Sequence, residues 1–295
     1  MTEPAAANGF LDVERLLESS PARPRFNMGW GLGVILLAAL IMTALAGGAP
    51  AEARQAVAVL SGLVMLAAIG GMCAFSVYTV RRLRAEQQRV EQIGELVQLR
   101  RWPEAAMALD AYLSRPAGTP QLRVQALAYL APVLARLERY EDAITVQTYL
   151  IEQAGLDPAG ATAMRIGRTM AMLHEDHLFD ADRAISELRR SPAAGSAALA
   201  LVELYRDVKT GHPTEAIELF EQKLTTFRDQ LGHRAADAYA LAARAYDLLG
   251  REAEARAAFW NATLLAPAIE LFRRYPEVKK LSDRFHPAPA PPEAA

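Results

Sequence analysis

Residues 235–267 read AADAYALAARAYDLLGREAEARAAFWNATLLAP. Apolar residues recur here at helical spacing on both sides of a break, which is typical of two consecutive amphipathic helices. Small residues such as Ala243 and Ala255 let two helix backbones approach closely, and Tyr246 and Phe259 are large enough to fill the space between neighbouring pairs. The stretch therefore predicts a helical hairpin.

Similar units recur along residues 85–267. Their predicted second helices contain WPEAA at 102–106, YEDAI at 140–144, DRAI at 182–185, TEAI at 214–217 and EAEAR at 252–256. Spacings of 38, 41, 32 and 39 residues separate the marker alanines Ala105, Ala143, Ala184, Ala216 and Ala255. This period corresponds to one helical hairpin per unit. Because one hairpin cannot bury its apolar face alone, about five hairpins are expected to stack into an α-solenoid.

The best-matching unit is the last. Its matching residues are Tyr239, Ala242, Ala243 and Tyr246 in the first helix, then Ala255, Phe259 and Pro267. The second unit matches through Leu127, Leu130, Ala131, Leu134, Tyr140 and Ala143, with Gln147 where an aromatic residue is usual. Over residues 86–267 the chain resembles the tetratricopeptide repeat family, whose units carry W-x2-L-G-x2-Y, A-x3-F and a terminal proline. The resemblance implies a superhelix that binds other proteins on a concave face and catalyses no reaction.

The resemblance also indicates candidate partner-binding residues. Family members that bind chaperone C-termini use basic and Asn-rich positions on their first helices. The comparable positions of the second and last units are Gln125, Ala128, Pro132, Asp237, Ala240 and Arg244, so that clamp is absent. Arg244, Asp237 and Gln125 remain as candidates for contacting a different partner.

Composition favours an all-α protein. Hydrophobic residues make up 52% of the 295-residue chain and aromatic residues only 7%, a balance that fits Ala- and Leu-rich helices better than sheets. The net charge of -2 gives no basic surface for nucleic acid, so nucleic acid is an unlikely partner. A lone cysteine, Cys73, has no second cysteine to pair with.

Two charge-free stretches near the N-terminus predict a transmembrane hairpin. No charged residue occurs in 26–51 or in 55–80, and helices over about 28–47 and 56–80 are long enough to cross a bilayer. Arginines flank the hairpin on its outer sides, which predicts a multi-pass protein of the cell inner membrane with the repeats in the cytoplasm. Cleavage of the first stretch as a signal peptide is the alternative, although its acidic leading segment argues against it.

The remaining segments complete the predicted domain organisation. Residues 1–27 are expected to form a cytoplasmic tail, in which 8–19 has a short amphipathic pattern typical of either a docking helix or a frayed end. Residues 268–286 predict an amphipathic capping helix broken at Pro276, and the Pro-rich residues 287–295 a disordered tail. A G-x-x-x-G spacing at Gly29 and Gly33 fits either a homodimer or packing of the first helix on the second.

No pattern predicts catalysis, a cofactor or a metal. His174 and His177 can share one helix face, but no third ligand follows, so a solvated helix end is favoured over a zinc site. The function predicted from sequence is a membrane-anchored scaffold for protein–protein interaction. A membrane-linked regulatory or sensor module, and an accessory or degenerate subunit of an enzyme complex, are the alternatives.

Overall fold

The computed structural model describes residues 11–18, 41, 51–116 and 119–285. Every regular element within them is helical, so the predicted all-α class is confirmed. The α-helices are α1 Val13–Glu18, α2 Ala51–Gln98, α3 Trp102–Leu113, α4 Pro120–Arg136, α5 Tyr140–Gln153, α6 Pro158–His174, α7 Leu178–Arg189, α8 Ala197–Thr210, α9 Pro213–Leu231, α10 Ala235–Leu248, α11 Glu252–Leu265, α12 Ala268–Arg274 and α13 Lys279–Phe285. Short 3-10 helices occupy Gly232–Arg234 and Pro276–Val278.

Helices α2 to α11 pair as five consecutive hairpins. The second helices of the first four hairpins are α3, α5, α7 and α9. Each of them packs against the first helix of its own hairpin and against the first helix of the next hairpin. The first helices α4, α6, α8 and α10 also contact one another in turn. Short connections make the helices of a pair antiparallel. The result is a stack in which the first helices share one side, called here the inner face.

The turn inside every hairpin has the same backbone geometry. Two residues before each second helix, φ lies between 58° and 78°, in the left-handed region. The next residue donates its N–H to the carbonyl five positions earlier over 2.8–3.0 Å, as in a Schellman motif. The left-handed residues are Arg100, Glu138, Asp176, Gly211 and Gly250. Since three of them carry a side chain, the surrounding helices must hold those turns against local strain.

These turns correct the register of the third unit. The fourth residues of the second helices are Ala105, Ala143, Ala181, Ala216 and Ala255, each 0% exposed. The repeat alanine of the third unit is therefore Ala181, three residues before the predicted marker Ala184, which is only partly buried. In the corrected register every second helix is entered through a basic-x-x-acidic-Ala segment. These segments are RWPEA at 101–105, RYEDA at 139–143, HLFDA at 177–181, HPTEA at 212–216 and REAEA at 251–255.

We expect the Glu138→Gly variant to raise the free energy of unfolding by about 0.5–1 kcal/mol, because glycine removes the cost of a Cβ at φ 62°. The change also removes an ion pair with Arg273, but both side chains are about half exposed and such pairs contribute little. Urea unfolding of Glu138→Gly beside Glu138→Ala separates the two effects, since alanine deletes the pair and keeps the Cβ. If the glycine variant is no more stable than the alanine variant, the backbone at position 138 is not strained by a Cβ.

The N-terminal helix α1 docks on the repeats. Leu11, Val13 and Leu16 are buried in the apolar core of the first two hairpins. Arg123 donates to the carbonyl of Leu16, and Arg139 Nη2 donates to the carbonyl of Leu11 over 2.7 Å. Of the two sequence interpretations of 8–19, the docking helix therefore describes residues 11–18. Residues 1–10 and 19–27 lie outside the described residues.

The predicted transmembrane hairpin is wrong. Within the ranges that the structure describes, no helix is long and apolar enough to cross a membrane. The predicted segment 56–80 belongs to α2, which continues without a break into a charged half whose Val90 and Ile93 are buried in the protein. The prediction treated 56–80 as a helix of its own that ends before Arg81, whereas α2 continues through Arg81, Arg82 and Arg84 to Gln98.

The same finding overturns the predicted multi-pass inner-membrane localisation. Apart from Ile41, the first predicted segment, 28–47, lies outside the described residues, and so do the dimerisation candidates Gly29 and Gly33. The predicted disordered tail, 287–295, also lies outside them.

Candidate protein-binding cavity on the inner face

A cavity of about 350 Å³ lies on the inner face, between α4, α5, α6 and the start of α10. Helix α6 supplies its apolar wall through Met164, Ile166 and Met170, which are only partly buried. Leu173 of the same helix is fully buried in the core. Met164, Ile166 and Met170 also pack against the core, and the exposed part of each side chain lines the cavity.

The C-terminal segment, defined as Ala268–Phe285, reaches across the inner face. Arg100 Nη1, in the turn of the first hairpin, lies 3.4 Å from Glu270 Oε2. Glu138 Oε1, in the turn of the second hairpin, lies 3.3 Å from Arg273 Nε. The segment thus contacts the first two hairpins, at the far end of the stack from the last hairpin that it follows in sequence.

Two consecutive residues of this segment enter the cavity. Arg274 Nη1 lies 2.5 Å from Asp237 Oδ1 at the start of α10, and Asp237 is only 1% exposed. Tyr275 is 2% exposed. The chain then breaks into a 3-10 helix at Pro276, as the sequence indicated for this position. The segment therefore covers one side of the cavity in addition to the end of the last hairpin.

An aromatic cluster surrounds His174 at the end of α6. Its ring stacks on Tyr140, with the ring centres 4.3 Å apart, and lies 4.9 Å from the Tyr205 ring and 5.9 Å from the Tyr275 ring. Tyr205 Oη lies 3.3 Å from His174 Nδ1. Lys209 donates to the carbonyl of His174 over 3.4 Å. These contacts fix the helix end against three other elements.

Burial keeps His174 uncharged. Burial, together with the positive charges of Lys209, Arg136 and Arg274, lowers the pKa of His174 to about 3. Burial also raises the pKa of Tyr140 to about 12. At neutral pH the cluster is therefore a set of uncharged rings beside several cations.

This environment makes stability depend on pH. The unfolded chain binds a proton at His174 below pH 6.5, whereas the folded chain does so only near pH 3. Stability from this group is therefore complete above pH 6.5 and is lost progressively as the pH falls towards 3. From pH 7.5 to pH 5, we expect wild type to lose about 1–2 kcal/mol more than His174→Asn, which keeps an acceptor and does not titrate. Denaturant unfolding at both pH values measures this difference, and equal losses would refute a neutral buried histidine.

The predicted partner-binding residues do not form one site. Asp237 lines the cavity but is paired with Arg274. Arg244 pairs with Asp247 over 2.6 Å on α10 and does not line the cavity. Gln125 is exposed on α4, where it donates to Tyr129 Oη over 3.3 Å. Of the three, only Asp237 is part of the cavity that the structure forms.

The two histidines that were weighed as metal ligands lie in different environments. His174 belongs to the aromatic cluster, whereas His177 is exposed and its Nε2 lies 3.3 Å from Glu141 Oε1. No group of three residues that could hold a metal ion occurs among the described residues.

Sequence reasoning missed the residues that line the cavity with Asp237. Arg136 ends α4, Arg234 ends a short 3-10 helix, and Arg274 belongs to the C-terminal segment. None carries a recognisable motif, and they meet only because the C-terminal segment crosses the inner face. The one residue that could have indicated this cavity from the sequence was His174, a histidine at a helix end between two hairpins rich in aromatic residues.

Searches of protein-family models, curated proteins and solved structures found no match to this chain. The resemblance to the tetratricopeptide repeat family therefore stays a prediction.

Proposed function

We propose that this chain is a helical-repeat adaptor that binds a segment of another protein in the inner-face cavity. The observation that carries the proposal is the apolar wall of α6, where Met164, Ile166 and Met170 are only partly covered by the chain. Methionine side chains adapt to varied apolar surfaces and are common at binding sites. Stacked helical hairpins typically present such extended faces to partner segments.

Paired substitutions test this function. Met164→Glu places a charge on the cavity wall, and Ala163→Trp, at an exposed position of the same wall, fills the cavity with bulk. Met107→Glu is the matched control, because Met107 is exposed on α3 and does not line this cavity. Each tagged full chain is used to capture proteins from an extract of the source cells, and the captured proteins are quantified.

We expect both cavity variants to lose at least about tenfold of a specific captured protein, corresponding to about 1.4 kcal/mol, while Met107→Glu retains it. Circular dichroism and thermal unfolding check that the variants are folded. Because Ala163 is exposed, the tryptophan variant remains informative if Met164→Glu unfolds. Equal capture by the cavity variants and wild type would refute binding in this cavity.

A further inference from the structure

Arg136, the last residue of α4, lies between two cavities. It lines the 350 Å³ cavity and also a second one of about 280 Å³, next to Trp102 and Arg100. Its guanidinium carbon lies 5.8 Å from the centre of the Trp102 ring, a distance at which a cation is attracted to an aromatic ring. The side chain is therefore held where a molecule in either cavity can reach it.

The charges that line these cavities are unbalanced. Three arginines have carboxylate partners, in the pairs Arg100–Glu270, Arg273–Glu138 and Arg274–Asp237. Arg136 and Arg234 also line the cavities, and neither side chain forms an ion pair or a hydrogen bond with any residue in the described part of the chain. Two positive charges are thus left without an ion-pair partner among the described residues, although the charge of Asp237 still attracts Arg136.

Arg136 is the more confined of these two cations, since it is partly buried and Arg234 is exposed. Burial, followed by the nearby charge of Arg274, lowers the pKa of Arg136. A guanidinium in such a place gains from a carboxylate, because two parallel N–H···O hydrogen bonds replace the lost water and the charge offsets repulsion from the neighbouring arginines.

We propose that Arg136 binds the side-chain carboxylate of an aspartate or glutamate in the partner segment, and that an apolar residue next to this acidic residue packs on Met164 and Met170. The inference rests on the proposed function and names the chemistry of the partner. Charge complementarity accounts for the acidic residue, and the apolar wall in the same cavity accounts for its neighbour. An inorganic anion satisfies only the first of these two requirements.

The test uses synthetic octapeptide libraries with a fixed central leucine followed by Asp, Glu, Asn or Gln. Binding to the full chain is measured by fluorescence polarisation. We expect the acidic libraries to bind about tenfold more tightly than the amide libraries, as for a hydrogen bond to a charged group. In Arg136→Gln we expect the acidic and amide libraries to bind about equally well. In Arg136→Lys we expect an intermediate preference, because lysine keeps the positive charge but lacks the paired N–H donors of the guanidinium.

Arg183→Gln is the matched control, because it removes an exposed arginine of α7 that lines neither cavity. We expect it to keep the acidic preference. An acidic preference that survives in Arg136→Gln would overturn the proposal. The proposal would also be overturned if inorganic phosphate displaced the peptides while the acidic and amide libraries bound equally well. The site would then bind an anion without recognising an acidic residue of the peptide.

The outcomes separate this inference from the proposed function. Peptides that bind in a manner blocked by Ala163→Trp, but without preference for Asp or Glu, would leave the cavity as the binding site and overturn the role of Arg136. Binding that Ala163→Trp does not reduce in any library would refute the proposed function itself.

Discussion

Replacing Asp237 with alanine is expected to lower the free energy of unfolding by about 3 kcal/mol, because it leaves the buried Arg274 without its carboxylate. Asp237 is 1% exposed, and the Arg274 side chain is also largely buried. The charge of Asp237 also attracts Arg136, and Arg234 repels Arg136, so the variant would remove the carboxylate that offsets repulsion among these arginines. Urea unfolding of the full chain at neutral pH measures the loss.

Two further variants decide whether the burial of this pair is the cause. Asp182→Ala removes a half-exposed carboxylate 3.4 Å from Arg206 and is expected to cost less than about 0.5 kcal/mol. The double variant Asp237→Leu with Arg274→Met replaces the pair by apolar side chains and is expected to be more stable than Asp237→Ala. A loss below about 1 kcal/mol in Asp237→Ala would show that the C-terminal segment is not held by this pair.

The Ala181→Leu variant is expected to lower the free energy of unfolding by about 3 kcal/mol, since three extra heavy atoms must fit where Ala181 is 0% exposed. Ala181 occupies the repeated position at which small side chains let the second helix approach its neighbours. Thermal and urea unfolding provide the measurement.

Ala184→Leu is the matched control, because it introduces the same side chain one helical turn away at a partly buried position. We expect a change of less than about 1 kcal/mol there. A larger loss in Ala184→Leu than in Ala181→Leu would restore the register predicted from the sequence and contradict the alignment of the five turns.

The helical class was predictable because small and large apolar residues recur at helical spacing, as in residues 235–267. The third unit was misregistered because the sequence comparison followed Ala184-Ile185, which resembles Ala143-Ile144 and Ala216-Ile217. The left-handed turn at Asp176 fixes the register independently of that likeness, but aspartate does not mark such a turn as glycine does. The register of the third unit therefore followed from the backbone geometry of its turn and could not be derived from residue types.

The cavity was not predictable from local patterns. Arg136, Asp237 and Arg274 are brought together by the C-terminal segment, and no periodicity in the sequence fixes the path of that segment. The charge-free segment 56–80 illustrates the opposite error, because a local run of apolar residues was taken to define a separate membrane helix, whereas α2 continues to Gln98. Long-range contacts, which depend on how the hairpins stack, decide which of the polar residues form a site.

Photo-crosslinking from the cavity wall tests the central claim most directly. A photoreactive phenylalanine analogue replaces Ala163 on the wall, or Met107 on the exposed side of α3, and each full chain is irradiated in an extract of the source cells. We expect Ala163 to give a discrete crosslinked protein whose attachment site has Asp or Glu beside an apolar residue, and Met107 not to give that product. The same products from both positions, or none from Ala163 while Met107 crosslinks a specific protein, would contradict binding at the inner face.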